Sequence, residues 1–129
     1  MEERYLYSTT VPILLDGGRL AGRVARMLYV SYGLESHWFG PGWHWLIAVY
    51  ARRHAALPFT EDNDPVTLRL LTAYARERGS SAGIPALIPC SPEAEAFLER
   101  VRPHLEENFV LLGMPDPTQN PIRGLVRRG

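Results

Sequence analysis

The chain has 129 residues, of which 46% are hydrophobic and 22% charged, a composition that excludes whole-chain disorder and fits one globular domain. Fourteen basic and fourteen acidic residues balance, so no net charge draws the protein to nucleic acid or to an anionic membrane. A single cysteine, Cys90, excludes an internal disulfide, and with no apolar stretch of membrane-spanning length and no signal-like opening we expect a cytoplasmic protein.

Lysine is absent, and all fourteen basic residues are arginine. A P-loop and a Schiff-base enzyme each depend on a lysine amine, so the sequence excludes both classes. Arginine also binds phosphate, but its planar guanidinium does not replace a lysine amine in such sites.

Short apolar runs bounded by glycine or proline alternate with segments of helical period. After a polar lead-in over residues 1–10, the pattern predicts, in chain order, strand Val11–Leu15, helix Arg19–Tyr32, strand Glu35–Phe39, a short helix Trp43–Tyr50, strand Arg53–Leu57, helix Pro65–Gly79, strand Ile84–Cys90, helix Pro92–Leu105 and strand Phe109–Leu112. The segment Trp43–Tyr50 is also compatible with a strand.

Local signals mark the helix ends. Gly33 stands where a left-handed residue would end the first helix. Asp64 and Ser91 are each followed by proline, the pattern of an N-cap and a first helical position. Pro103 is expected to kink or shorten the last helix, and residues 80–83 are expected to form a flexible turn.

Strands that alternate with helices predict a parallel sheet with right-handed crossovers. We therefore expect an α/β fold, a Rossmann-like three-layer sandwich of five mainly parallel strands in the order 3-2-1-4-5. This domain covers residues 1–113, and the proline- and arginine-rich residues 114–129 are expected to form a C-terminal linker or tail.

The first strand-to-helix turn runs from Asp16 to Gly22 and contains Gly17 and Gly18. A helix N-terminus at such a turn offers free N–H groups to a ligand. The glycine spacing is not that of a dinucleotide-binding fingerprint, and no acidic residue ends the second strand, so we do not expect a dinucleotide. The favoured interpretation is a tight turn with close packing, and the alternative is a ligand-facing loop.

A second candidate is the aromatic and imidazole cluster His37, Trp38, Trp43, His44 and Trp45, beside a Gly-Pro-Gly turn. Ligands of open α/β sheets bind at the carboxyl edge, where this cluster is expected. The favoured interpretation is core packing or an interface, with a ligand contact as the alternative. The histidine spacing matches no standard metal pattern, so no metal site is predicted.

Cys90 lies between Pro89 and Ser91, just before a helix N-terminus that would lower a thiol pKa. A nucleophilic cysteine is the less favoured interpretation, and a buried cysteine the more favoured one. We predict no catalytic residue in this chain.

Taken together, the order of these features resembles the N-terminal (preATP-grasp) domain of ATP-grasp carboxylate–amine ligases, the D-aspartate ligase-like group. The resemblance extends over residues 11–117. The matching stretches are Pro12–Gly18 leading into Ala21–Leu28, Asp64–Gly79, Ile84–Glu93, Phe109–Leu112 and Met114–Pro117.

This resemblance implies a non-catalytic substrate-binding or assembly domain whose glycine turn (Gly17, Gly18) and strand end (Pro89–Ser91) lie near the acceptor substrate. In the family, a following ATP-grasp domain supplies ATP, Mg²⁺ and the ligase chemistry; the sequence stops before such a domain, so we expect no cofactor in this chain. The expected partner is an ATP-grasp domain or subunit, or a second copy of the chain. The alternative function is a stand-alone small binding or regulatory protein that uses the Trp/His cluster.

Overall fold

Strands and helices alternate along residues 10–78, 83–119 and 121–122, the parts of the chain that the computed structural model describes. In chain order the elements are β1 (Thr10–Leu15), α1 (Gly18–Tyr32), β2 (Ser36–Gly40), α2 (Trp45–Tyr50), β3 (Ala51–Ala55), a 3-10 turn (Glu61–Asn63), α3 (Asp64–Arg78), β4 (Ile84–Pro89), α4 (Pro92–Leu105) and β5 (Val110–Leu111).

The described strands form one parallel sheet in the order β3-β2-β1-β4-β5, which confirms the predicted Rossmann-like α/β fold. The central strand β1 is covered on both sides, and Ile13, Leu14 and Leu15 are completely buried. From β1 the chain moves outward to β2 and β3, and then returns to place β4 on the other side of β1. The carboxyl ends of β1 and β4 therefore mark the point where the strand order reverses.

Each face of the sheet has its own apolar core. On one face, α1 and α2 cover Leu14, Trp38 and Ile88. On the other, α3 and α4 cover a cluster that includes Leu15 and Phe39. The alternation of side chains along each strand divides neighbouring residues between these two cores.

The helix ends follow the predicted signals. Gly33 has a φ of 66°, and its N–H and that of Leu34 donate to carbonyls of the last turn of α1. Ser91 caps α4, since its hydroxyl accepts a hydrogen bond from the Ala94 N–H at 3.0 Å. Trp45–Tyr50 is helical, which decides between the two interpretations of that segment.

Several boundaries differ from the prediction. β3 begins at Ala51, two residues before the expected start, because this edge strand is half-exposed and has no continuous apolar run. α4 continues past Pro103 to Leu105, since a proline so close to the helix end removes few intrahelical hydrogen bonds. The strand predicted as Phe109–Leu112 pairs over two residues only. Residues 1–9 and 79–82, where a lead-in and a turn are predicted, lie outside the described residues.

Ile122 lies within the segment predicted to be a linker or tail. Its side chain is completely buried and belongs to the core that contains Leu14 and Trp38. The described part of this segment thus contributes to the packing of the α1 face. None of the described helices is long and apolar enough to cross a membrane.

A substitution of Gly17 tests how tightly the turns after β1 and β4 pack at the strand reversal. Its φ is 51°, and an added Cβ would lie 1.9 Å from the carbonyl oxygen of Cys90. We expect Gly17→Ala to lower the free energy of unfolding by about 3 kcal/mol, because both the backbone and the β4 turn must move. Urea unfolding measures the change. The matched control is Gly113→Ala, where an added Cβ meets nothing within 4 Å; an equal loss in both variants would contradict the prediction.

Candidate ligand site at the carboxyl edge of the sheet

Two turns meet where the strand order reverses, one after β1 and one after β4. Asp16 and Gly17 form the first turn, and Cys90 and Ser91 the second. The Cys90 N–H donates to the Leu15 carbonyl at 2.9 Å, which extends the pairing of β1 with β4 to the edge. In open α/β sheets this reversal is the preferred position for a ligand.

Asp16 is held in place from three directions. Its N–H donates to the Phe39 carbonyl at 2.9 Å, and its own carbonyl accepts a hydrogen bond from the Trp38 indole N–H at 2.9 Å. Its carboxylate accepts a hydrogen bond from the Ser91 hydroxyl at 2.6 Å. These bonds connect β1, β2 and the start of α4 through a single residue, so the carboxylate has a fixed position.

The backbone of Asp16 has a φ of 61°, which is uncommon for a residue with a side chain. Aspartate tolerates this left-handed conformation better than most residues, at a cost of about 1 kcal/mol. The three hydrogen bonds oppose this cost. Strained residues that are held in this way are frequent at ligand sites, although strain alone does not identify one.

Gly40, the last residue of β2, makes room for this arrangement. A Cβ at Gly40 would lie 2.6 Å from the Trp38 ring and 3.2 Å from the Asp16 Cα. The indole can therefore cross the end of β2 and reach the Asp16 carbonyl only because Gly40 has no side chain. Because Trp38 is completely buried, its side chain supports Asp16 from within the core and does not offer a surface to a ligand.

His44 lies beside the first turn of α1. Its Nδ1 accepts a hydrogen bond from the Leu46 N–H at 3.2 Å, so it caps α2. A neutral imidazole whose Nδ1 accepts carries its proton on Nε2, which leaves an N–H donor. The His44 Cβ lies 3.5 Å from the position that a Cβ on Gly18 would occupy, so this half-buried donor adjoins the start of α1.

The structure divides the predicted Trp/His cluster. His37 and Trp38 are consecutive in a strand, so their side chains enter opposite cores. Trp38 supports Asp16. His37 faces α3, and as the second residue of β2 it lies within the strand and not at the carboxyl edge where it was expected. Trp43 and Trp45 are 63% and 57% exposed, and only His44 adjoins the α1 turn.

His37 instead belongs to an aromatic cluster under α3 that sequence reasoning did not identify. Its Nδ1 lies 3.0 Å from the Nε2 of His54, so one imidazole donates a hydrogen bond to the other. The His54 ring stacks on Phe39 at a centroid distance of 4.4 Å, and the Tyr74 ring meets His37, Phe39 and His54 edge-on. The signal was one histidine in each of β2 and β3: His54 pairs with Phe39, two residues along from His37, so the two imidazoles lie on the same face of the sheet.

The environment of this cluster disfavours the charged form of both His37 and His54. Burial, followed by the positive charges of His54, Arg78 and Arg52, lowers the pKa of His37 from 6.5 to about 4. Burial and Arg52 also lower the pKa of His54, and Glu77 opposes this shift. Among the described residues, no group of three or more His, Cys, Asp or Glu side chains is placed to hold a metal ion.

Cys90 has the environment of a core thiol. The side chain is buried, and burial raises its pKa to about 12. Its Sγ lies 3.6 Å from the Ile88 carbonyl. The described surroundings therefore give no support to a thiolate nucleophile at neutral pH.

The low pKa of His37 predicts a pH-dependent stability. The unfolded chain takes up a proton near pH 6.5, and the folded protein only near pH 4, so stability falls as the pH decreases through this window. Between pH 7 and pH 5 we expect a loss of about 1 kcal/mol, reduced by solvent screening of a half-buried ring. His37→Gln should flatten the dependence measured by urea unfolding, and an unchanged slope would contradict this origin.

Alkylation tests the state of Cys90. With its pKa raised to about 12, the thiol should react with iodoacetamide at least about a hundredfold more slowly at pH 7.5 than glutathione does. Mass spectrometry follows the modification, and unfolding in urea should restore the ordinary rate. If the folded protein reacts as fast as glutathione does, Cys90 is a reactive thiol and the prediction is wrong.

Comparison of the chain with protein families, with curated proteins and with solved structures finds no significant match. The chemistry of the ligand must therefore be inferred from the side chains at the edge of the sheet.

Proposed function

We propose that this chain is a non-catalytic substrate-binding or assembly domain of an ATP-grasp carboxylate–amine ligase. The observation that supports the proposal is the carboxylate of Asp16, fixed by Ser91 at the reversal of strand order. The resemblance of residues 11–117 to the leading domain of such ligases agrees with a substrate at this edge.

The fixed carboxylate suits a substrate with an amine. The Ser91 hydroxyl donates a hydrogen bond to Oδ2 of Asp16. The carboxylate has further lone pairs that accept hydrogen bonds from an ammonium group. Asp16 is half-buried, so an ion pair here would be screened less than one at the open surface. An amine acceptor is one of the two substrates of a carboxylate–amine ligase.

A carboxylate on the same substrate would have suitable donors nearby. The first turn of α1 has no side-chain cap, so its N–H groups are available to an anion. His44 packs beside this turn, and its second ring nitrogen is a further donor for an anion. An amino acid, with an ammonium for Asp16 and a carboxylate for these donors, therefore fits the site better than a purely anionic ligand.

The described residues are a poor fit for ATP and Mg²⁺. The chain has no lysine for a triphosphate, and the described residues provide no three-ligand group for a metal ion. In the proposed division of labour, a separate ATP-grasp domain supplies the nucleotide, the metal and the chemistry, and this domain presents the acceptor.

A second candidate is a stand-alone binding or regulatory protein. The exposure of Trp43 and Trp45 favours it, because neighbouring surface indoles are an unusual feature of a surface without a ligand or partner. In that case the ligand would contact the loop before α2 and leave Asp16 unaffected.

NMR of the ¹⁵N-labelled chain tests the proposal. Glycine and aspartate should shift the Trp38 indole signal and the Asp16 and Ser91 amides in a saturable way, since the indole binds the Asp16 carbonyl and Ser91 binds the Asp16 carboxylate. The N-acetylated forms, which have no ammonium, should leave them unchanged. ATP with Mg²⁺ should produce no saturable shift.

Asp16→Asn should weaken amino-acid binding at least tenfold, and the exposed Asp62→Asn serves as the matched control. If no amino acid shifts these signals, or the acetylated forms act equally, substrate binding at Asp16 is wrong. Saturable shifts confined to the Trp43 and Trp45 indoles would favour the stand-alone binding protein instead.

A further inference from the structure

The helices that cover one face of the sheet carry charge of a single sign. α1 and α2 contain three arginines and no acidic residue, whereas α3 and α4 contain five arginines and five acidic residues. Arg19, Arg23 and Arg26 are all exposed and follow one another at helical spacing along α1. A neutral protein thus has one distinctly basic helical face.

The same face exposes large apolar side chains. Val30 continues the line of arginines and is 64% exposed, and Val49 and Trp45 of α2 are 62% and 57% exposed. Tyr29 is also exposed, and its ring packs against Tyr50 at a centroid distance of 5.7 Å, which joins the two helices. We call these side chains, with Arg23 and Arg26, the α1–α2 face.

A groove runs along this face between α1, α2 and the turn at residues 117–118. Its volume is about 620 Å³, and Arg23, Arg26, Met27, Val30 and Trp45 are among its lining residues. From Arg23 to Ser31 the wall of α1 extends for roughly 12 Å, the length of about two helical turns. Asp116 lies near Arg23 and offsets part of its charge, and its carboxylate also accepts two hydrogen bonds from Thr118.

We propose that the α1–α2 face binds a short amphipathic helix of a partner protein, with an apolar stripe flanked by acidic residues. The stripe would pack on Trp45, Val30 and Met27, and the acidic side chains would pair with Arg23 and Arg26. Helices that bind in grooves use such a combination of apolar anchors and flanking charges. This inference adds the partner's chemistry to the proposed function, and it does not involve the Asp16 site.

Charge and shape argue against other occupants. In a second copy, α3 and α4 are a poor match, since they are balanced in charge and their large apolar residues Val66 and Leu70 are only 38% and 37% exposed. Two α1–α2 faces packed on each other would bring arginines of the same charge together. A lipid surface is flat, whereas the arginines here line a concave groove. Single-stranded nucleic acid binds through successive stacked aromatic rings, whereas Trp45 is the one aromatic residue among those that line the groove.

Peptide selection tests the inference. The immobilised chain is the target, and the peptides come from a displayed library of random 16-residue sequences. We expect enrichment of helices with leucine or aromatic residues every three or four positions and with flanking Asp or Glu. For the best peptide, fluorescence anisotropy should give binding that weakens at least tenfold in the double variant Arg23→Glu, Arg26→Glu, and that weakens again in high salt.

The matched control is Arg69→Glu, Arg76→Glu on α3, where both arginines are exposed; it should bind like the unmodified chain. Trp45→Ser should also lose binding, and circular dichroism shows whether each variant is folded. The Asp16→Asn variant should keep full peptide affinity, which separates this inference from the proposed function.

Three outcomes would overturn the inference. One is that no acidic amphipathic sequence is enriched, or that the enriched peptides bind the Arg23→Glu, Arg26→Glu variant equally well. Another is a dimer in light scattering that Trp45→Ser abolishes, which would assign the face to a second copy. The third is sedimentation of the chain with phosphatidylserine vesicles in a manner that depends on Trp45.

Discussion

The close contact between the turns after β1 and β4 is the constraint on which the rest of the structure depends. Gly17 leaves no space between its Cα and the Cys90 carbonyl, and this contact brings Ser91 within hydrogen-bond distance of the Asp16 carboxylate. The two helices that follow these turns cover opposite faces of the sheet. One backbone contact at the strand reversal therefore also sets the position of the Asp16 carboxylate.

One of the three hydrogen bonds that hold Asp16 comes from the core on the α1 face. Trp38 fills the core and at the same time donates to the Asp16 carbonyl, and it can do so because Gly40 has no side chain. Core packing and site geometry are thus coupled through one indole. A substitution in that core would shift the position of the Asp16 carboxylate, even though Trp38 itself is buried away from the proposed ligand.

Strand order could be predicted from the sequence because each apolar run and each capped helix is a local pattern, and crossover handedness then leaves one economical arrangement. The hydrogen bonds that hold Asp16 could not be predicted from the sequence, because its partners Trp38 and Ser91 are 22 and 75 residues away in the chain. The grouping of His37 with Trp43 failed for a different reason. Neighbours in sequence were treated as neighbours in space, whereas strand residues alternate between the two faces.

The outer strand β3 contains two consecutive arginines. Arg52 and Arg53 are both exposed there, and Arg53 is oriented by a 2.6 Å hydrogen bond to the Gly42 carbonyl and lies 6.0 Å from the centre of the Trp38 ring. Charged side chains on an edge strand oppose the addition of a further strand from another molecule. At the opposite edge, β5 is only two residues long and offers little backbone to pair with. Both edge strands of the described sheet therefore disfavour edge-to-edge pairing with another molecule.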